Sequence, residues 1–243
     1  MSSGSPRRAG GAQKIPTPTK RRSGGAPAWS DHTVDFTLDA IVEKIQQLSV
    51  TQQISIDERS RTAPRENEKI SAVLALLAPG EHGAEILLTR RSTKLSNHQG
   101  EISFPGGRVD EGESIVDAAL RETHEEVGVH PQLVTVHSEL SPLSTFVSRS
   151  YIVPVLATVP EKPELSMSSY EVDRTLWVPL AELVRDDTFS WEWWNFDRVE
   201  FADDRPMFFF HLDDETIWGA TARILHELLC VIHGVNHFDL PNW

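Results

Sequence analysis

Between Gly107 and Val129 a single stretch of chain fixes both a helix and what that helix can carry. Val116, Ala119, Leu120, Thr123 and Val127 stand at offsets 0, 3, 4, 7 and 11, the spacing of one apolar stripe on an α-helix. Ser114 is placed to cap the N-terminus, and Gly128 to end the helix as its C′ residue. The spacing therefore predicts a helix over 114–127 with one face on a core. On its other side, Glu122, Glu125 and Glu126 fall at i, i+3 and i+4, within about 100° of the helix surface. Three like charges so placed repel one another. A divalent cation reverses that cost, and carboxylate oxygens are the ligands Mg²⁺ and Mn²⁺ prefer. The glutamates alone also allow a plain solvated acidic face.

Around this helix the pattern alternates between strands and helices. Ile70–Leu77 and Ala84–Leu88 read as buried strands joined through a turn at Pro79 and Gly80. Further strands are expected at Leu133–Val136, Tyr151–Val159, Leu176–Val178 and Met207–Phe210, and further helices near Leu180–Val184 and over 217–233. Phe36, Leu38, Ile41, Ile45 and Leu48 give a helix over 35–48, followed by a polar linker to about Lys69. Mixed elements over this length indicate one α/β sandwich.

Charge divides the chain unevenly. Residues 1–30 hold six basic and no acidic residues, against 17 basic and 36 acidic in the remainder. Five Gly, five Ser and four Pro in those first 30 residues predict a disordered basic tail. The expected organisation is thus a tail at 1–30, a helix and linker at 31–66, and an α/β domain at 67–243. The strongly acidic body argues against nucleic-acid binding, because phosphates need cationic surface. The single Cys230 excludes a disulfide framework. No uncharged apolar run approaches the ~20 residues of a membrane helix. The tail lacks a secretory apolar core, although its basic, acid-free composition also suits an organellar transit peptide. The expectation is a cytoplasmic protein without membrane contact.

The stretch Gly107-x5-Glu113-x7-Arg121-Glu122-x2-Glu125-Glu126-x-Gly128 resembles the signature box of the Nudix hydrolases. Seven fixed positions agree, a coincidence on the order of 10⁻⁸ per starting position at ordinary residue frequencies. The resemblance implies an α/β/α sandwich with a mixed sheet, in which the box forms a loop-helix-loop. It implies hydrolysis of a diphosphate bond in a nucleotide-like substrate. Glu122, Glu125 and Glu126 would hold Mg²⁺ or Mn²⁺, with Gly107 lending backbone to the metal site. Arg121 would orient a glutamate through an ion pair, and Glu113 would support the loop. Metals screen the diphosphate and acidify a bound water, so that a free carboxylate can take a proton. Glu125, Glu126 and, from a separate loop, Glu171 are the candidates for that base.

Upstream, Leu87-Leu88-Thr89-x-Arg91-Ser92, Gly100 and Phe104-Pro105-Gly106-Gly107 resemble a second signature, that of the coenzyme A pyrophosphatase subgroup. The resemblance implies coenzyme A or an acyl derivative as substrate, cleaved to 3′,5′-ADP and a 4′-phosphopantetheine species. Ser96 stands where that signature has its second arginine. Arg90, Arg91 and Lys94 form a cationic cluster suited to phosphate, with Arg108 as a further candidate. His98 contacts phosphate or closes a turn, and Gly106 lets backbone approach the substrate. ADP-ribose, NADH or a nucleoside triphosphate are the alternative substrates, and a non-catalytic nucleotide-binding module the alternative of another kind.

At the C-terminal end, Ile217-Trp218-Gly219-Ala220-Thr221-Ala222 opens a core helix in which Cys230 is a small buried hydrophobe. His226, His233 and His237 show no zinc spacing. Trp191, Trp193 and Trp194 pack beneath a loop, stack on a base, or form a subunit contact, which leaves a homodimer open.

Overall fold

The structure is a computed structural model describing residues 10–52, 64, 66, 68–95, 98–145, 149–167, 170–197 and 204–235. In chain order the first elements are β1 (Lys20–Ser23), α1 (Leu38–Gln52), β2 (Lys69–Gly80), β3 (Gly83–Arg91), β4 (Ile102–Ser103), β5 (Gly106–Arg108) and α2 (Ile115–Val127). They are followed by β6 (Thr135–Glu139), β7 (Leu143–Thr145), β8 (Ser150–Thr158), β9 (Val172–Pro179) and α3 (Leu180–Leu183). The last are β10 (Phe189–Asn195), β11 (Arg205–His211), β12 (Thr216–Trp218) and α4 (Gly219–His233).

The larger sheet runs β4-β3-β2-β8-β6, with β5 also on β2, β7 on β8 and β9 on β3. Its central pair, β2 and β8, is parallel, and its other pairs are antiparallel, so the sheet is mixed as expected. Strand β2 is apolar on both faces. Ala72, Leu74, Leu76 and Ala78 pack with Ala118, Ala119 and Val127 of α2, whereas Ala75 and Leu77 face the second core, with Leu225 and Leu228 of α4. The period-2 alternation of a strand divides these residues between two cores. Each fully buried Leu contributes roughly 1.5–3 kcal/mol over its exposed state.

The helix over 114–127 forms as its spacing dictates. The Ser114 Oγ accepts the Asp117 amide at 3.1 Å, and Gly128 closes the other end at φ 77°. Thr123, the polar member of the apolar stripe, donates its hydroxyl to the Ala119 carbonyl at 2.7 Å, which lets it lie buried.

Three expectations are corrected. The strand expected at Leu133–Val136 begins instead with a 3-10 turn at Pro131–Leu133, and β6 starts at Thr135. Pro131 lacks the amide a strand would donate, and His130 caps the turn through Nδ1. The tryptophans expected beneath a loop lie in a strand: Trp191, Trp193 and Trp194 belong to β10, inside a second, antiparallel sheet ordered β1-β10-β11-β12.

The third correction concerns residues 10–30, read as part of a disordered tail. Lys20–Ser23 pairs with Glu192–Asn195 of β10, and Trp29 lies in the main core at 3% exposure. The basic residues find acids of the same chain: Lys20 meets Asp197 at 3.1 Å, Arg22 meets Asp204 at 3.5 Å and stacks over Trp193, and Arg21 lies 4.0 Å from Glu192. Composition did not reveal this because the ordering partners are the acidic, aromatic strands nearly two hundred residues downstream. Residues 1–9, the greater part of the linker, and His237 lie outside the described residues.

Trp29→Ala is expected to lower unfolding stability in urea by about 3–4 kcal/mol, the ordinary cost of truncating a buried indole. An unchanged midpoint would restore the reading of a free tail.

Candidate active site

Helix α2 and the strand β5 ahead of it bring the box residues together. Arg121 is the hub. Its Nε and Nη2 donate to the two carboxylate oxygens of Glu113 at 2.8 and 2.9 Å, its Nη1 to Glu122 Oε1 at 2.9 Å, and its Nη2 also to the Arg108 carbonyl at 3.0 Å. The Arg121 guanidinium and the Asp110 amide hold the Glu113 carboxyl down to about 2. Glu113 also accepts that amide at 3.0 Å, so it ties the loop to the helix.

The three helix glutamates do different things. Glu125 is the most exposed and lies 3.5 Å from Arg121. Glu122 is turned under the β5 backbone, where a side chain at Gly107 would collide with its carboxylate. Glu126 is buried, and its Oε2 accepts the Gly106 amide at 3.2 Å. That approach requires glycine at 106: its φ is +148°, and a Cβ there would strike the Ala72 carbonyl and the Val73 backbone. Burial pushes the Glu126 carboxyl up to about 7, the Gly106 amide and Arg91 pull it down, and nearby Glu122 and Glu171 raise it further.

Glu171, at the foot of β9, is drawn into the same cluster. Its Oε2 lies 3.5 Å from Arg91 Nη2, and its carbonyl accepts the Ser92 amide at 2.6 Å. The structure thus gathers Gly106, Gly107, Glu122, Glu126, Glu171 and Arg91, with Glu125 on the outer rim. Among the described residues no three His, Cys, Asp or Glu side chains stand ready as a converged ligand set. A divalent cation nevertheless fits the donor chemistry. Glu126 is desolvated and faces the like charges of Glu122 and Glu171, an arrangement a cation relieves.

The expected phosphate cluster separates. Along β3 the side chains alternate, so Arg91 faces the carboxylates and Arg90 the opposite core. Arg90 Nη1 meets Glu215 Oε1 at 2.9 Å, and Glu215 is only 1% exposed. Arg174 reaches the same carboxylate at 3.6 Å. Lys94 is exposed beside Asp173, which accepts the Thr93 amide at 3.0 Å. His98 closes a turn, with Nδ1 2.9 Å from Glu101 Oε2, and that hydrogen bond raises its pKa. Ser96 lies outside the described residues. Glu215, Asp173 and Glu101 were not read from the sequence. Glu101 stands three residues from His98 and offered a local signal, whereas the other two are brought in by strand pairing alone.

The family model described as NUDIX domain matches residues 68–203, more than half of the chain. The chain belongs to the Nudix family. A relative named as an uncharacterized Nudix hydrolase, NudL, from Enterobacter sp. strain 638 is 31% identical over 197 residues, covering 81% of this chain and 95% of that one. Another bearing the same name, from Photorhabdus laumondii, is 35% identical over 145 residues, covering 59% of this chain and 74% of its own. Among solved structures, a MutT/nudix family protein from Enterococcus faecalis aligns at 18% identity with a TM-score of 0.47, covering 81% of this chain and 74% of that one. As a Nudix hydrolase this protein cleaves phosphoanhydride bonds, and Nudix hydrolases generally require divalent cations. Among the described residues no helix is long and apolar enough to cross a membrane.

The raised carboxyl of Glu126 links stability to pH. Its folded pKa of about 7 lies above the ordinary 4.5, so its contribution is full below 4.5 and is lost as pH rises through 7. Glu126→Gln is therefore expected to stabilise the metal-free protein at pH 8 by about 1–3 kcal/mol and to have little effect at pH 4. Thermal unfolding at the two pH values checks this, and equal shifts at both would contradict a desolvated carboxylate.

Proposed function

We propose that this Nudix hydrolase cleaves coenzyme A or its acyl derivatives at the diphosphate, releasing 3′,5′-ADP and a 4′-phosphopantetheine species. The observation that carries the reading is one continuous segment, Leu87 to Gly107. It supplies Arg91 beside the carboxylate cluster and closes on Gly106, whose amide binds Glu126, and Gly107, which covers Glu122. That segment is also the one that resembles the coenzyme A pyrophosphatase signature. It brings a guanidinium, suited to forked contact with phosphate, beside the acids that would hold the metal.

Glu122 and Glu126 would hold Mg²⁺ or Mn²⁺, with Glu125 completing the set by rotating from the rim. When bound, such ions supply screening of the diphosphate charge and a more acidic water. Arg121 restrains Glu122, the Gly106 amide orients Glu126, and Arg91 engages substrate phosphate. Glu171 is the proposed general base: it stands apart from the helix glutamates yet faces Glu126, and Arg91 holds it by its carboxylate. Arg90 has a structural part in this reading, since its partner is the buried Glu215.

Incubation of coenzyme A with the protein and Mg²⁺ or Mn²⁺, with products identified by mass, is expected to give the two phosphorylated halves. Turnover of ADP-ribose or NADH in preference would transfer the assignment to those substrates. Arg91→Ala is expected to raise KM for coenzyme A about tenfold or more, as loss of a charged phosphate contact does. Arg90→Ala should instead lower unfolding stability by about 1–3 kcal/mol, because it leaves the buried Glu215 only the longer contact to Arg174. Ser96→Arg should lower KM if the signature arginine contacts substrate.

A further inference from the structure

The segment Gly10–Gln13 touches the body of the protein at two points, and neither contact belongs to the reaction described above. The first is Gly100, a position of the coenzyme A signature. Gly100 has φ +67°, its amide donates to the Arg91 carbonyl at 3.1 Å, and the Arg91 amide returns a bond to Glu101 at 2.9 Å. This closure fixes the base of the turn that carries Lys94. Ala12 lies directly on it: a Cβ at Gly100 would stand 2.8 Å from the Ala12 methyl.

The second point is the turn between β11 and β12. Gln13 Nε2 donates to the Thr216 carbonyl at 3.1 Å and back to the Gly10 carbonyl at 2.9 Å, which folds residues 10–13 into a compact clip. A side chain at Gly10 would collide with the Asp214 backbone, so this part of the chain lies flat against that turn. Asp214 binds Arg174 at 2.6 Å, and the adjacent Glu215 holds Arg90 at 2.9 Å. Arg90 and Arg91 are consecutive, so the turn under the clip holds the strand residue next to that closure. Behind the clip, the pairing of Lys20–Ser23 with β10 and the burial of Trp29 anchor the segment to the body.

We propose that Gly10–Gln13 is a latch whose Ala12 and Gln13 act as positioning residues for the substrate-binding turn that carries Arg91, Lys94 and Gly100. Its role in turnover rests on the coenzyme A reading, whereas its mechanical role does not. Presenting Arg91 and Lys94 already ordered lowers the cost of binding phosphate, so the latch acts on KM rather than on the bond-breaking step.

The test compares the full chain with a variant lacking residues 2–14, which keeps β1 and Trp29, and with Gln13→Ala. Trypsin cleavage after Lys94, followed by mass, reports the ordering of the turn without reference to any substrate. Both variants are expected to be cut there faster than the full chain, the deletion by about fivefold or more, with an unchanged thermal midpoint and unchanged rates at sites elsewhere in the body. KM for coenzyme A is expected to rise by about the same factor while kcat stays within about twofold. An unchanged rate of cleavage after Lys94 in both variants overturns the latch. So does acceleration spread over every site with a fallen midpoint, which would mark a general stabilising contact. If the full chain fails to hydrolyse coenzyme A while the deletion still exposes Lys94, the latch stands and the substrate assignment alone falls.

Discussion

Four carboxylates and a backbone carbonyl gather around the guanidinium of Arg121. Glu113 takes it by two oxygens, Glu122 by one, Glu125 and Asp110 lie 3.5 and 3.9 Å away, and the Arg108 carbonyl accepts as well. Without this cation, acids crowded onto two turns of helix and the preceding loop would repel one another. With it, the loop is fastened to the helix and Glu122 is held beneath Gly107. The inner half of the site depends on that arrangement, because only a fixed β5 backbone can offer the Gly106 amide to Glu126.

Glu126 illustrates how the fold tolerates an unfavourable group where chemistry needs it. A buried carboxylate beside two others is costly, and one amide and a nearby guanidinium offset only part of the cost. Such tension is characteristic of sites built to receive a cation, and it separates this residue from the solvated Glu125 one position before it.

What could be read in the sequence was what is local. The helix, both of its caps, and the face carrying Glu122, Glu125 and Glu126 depend on offsets of three and four residues, so periodicity and capping chemistry disclosed them. The double-sided burial of β2 was legible as an unbroken apolar run. The separation of Arg90 from Arg91 was implicit in strand alternation, yet a cationic cluster reads as one surface until a strand is seen to divide it. The buried Glu215 lies 125 residues from its arginine, and no local pattern announces such a pair. Of the second sheet only Met207–Phe210 was legible, and for the same reason: β10 is a run of largely alternating aromatic and polar residues whose meaning comes from β1 and β11 on either side.

Strand β1 has a consequence for the solubility of the whole molecule. It covers the outer edge of β10, a strand bearing three tryptophans, and faces outward with Lys20, Arg21 and Arg22. Charged flanking strands of this type discourage edge-to-edge association between sheets. A chain beginning at residue 31 would present the unpaired backbone of an aromatic strand to its neighbours, and would be prone to self-association even with every catalytic residue in place.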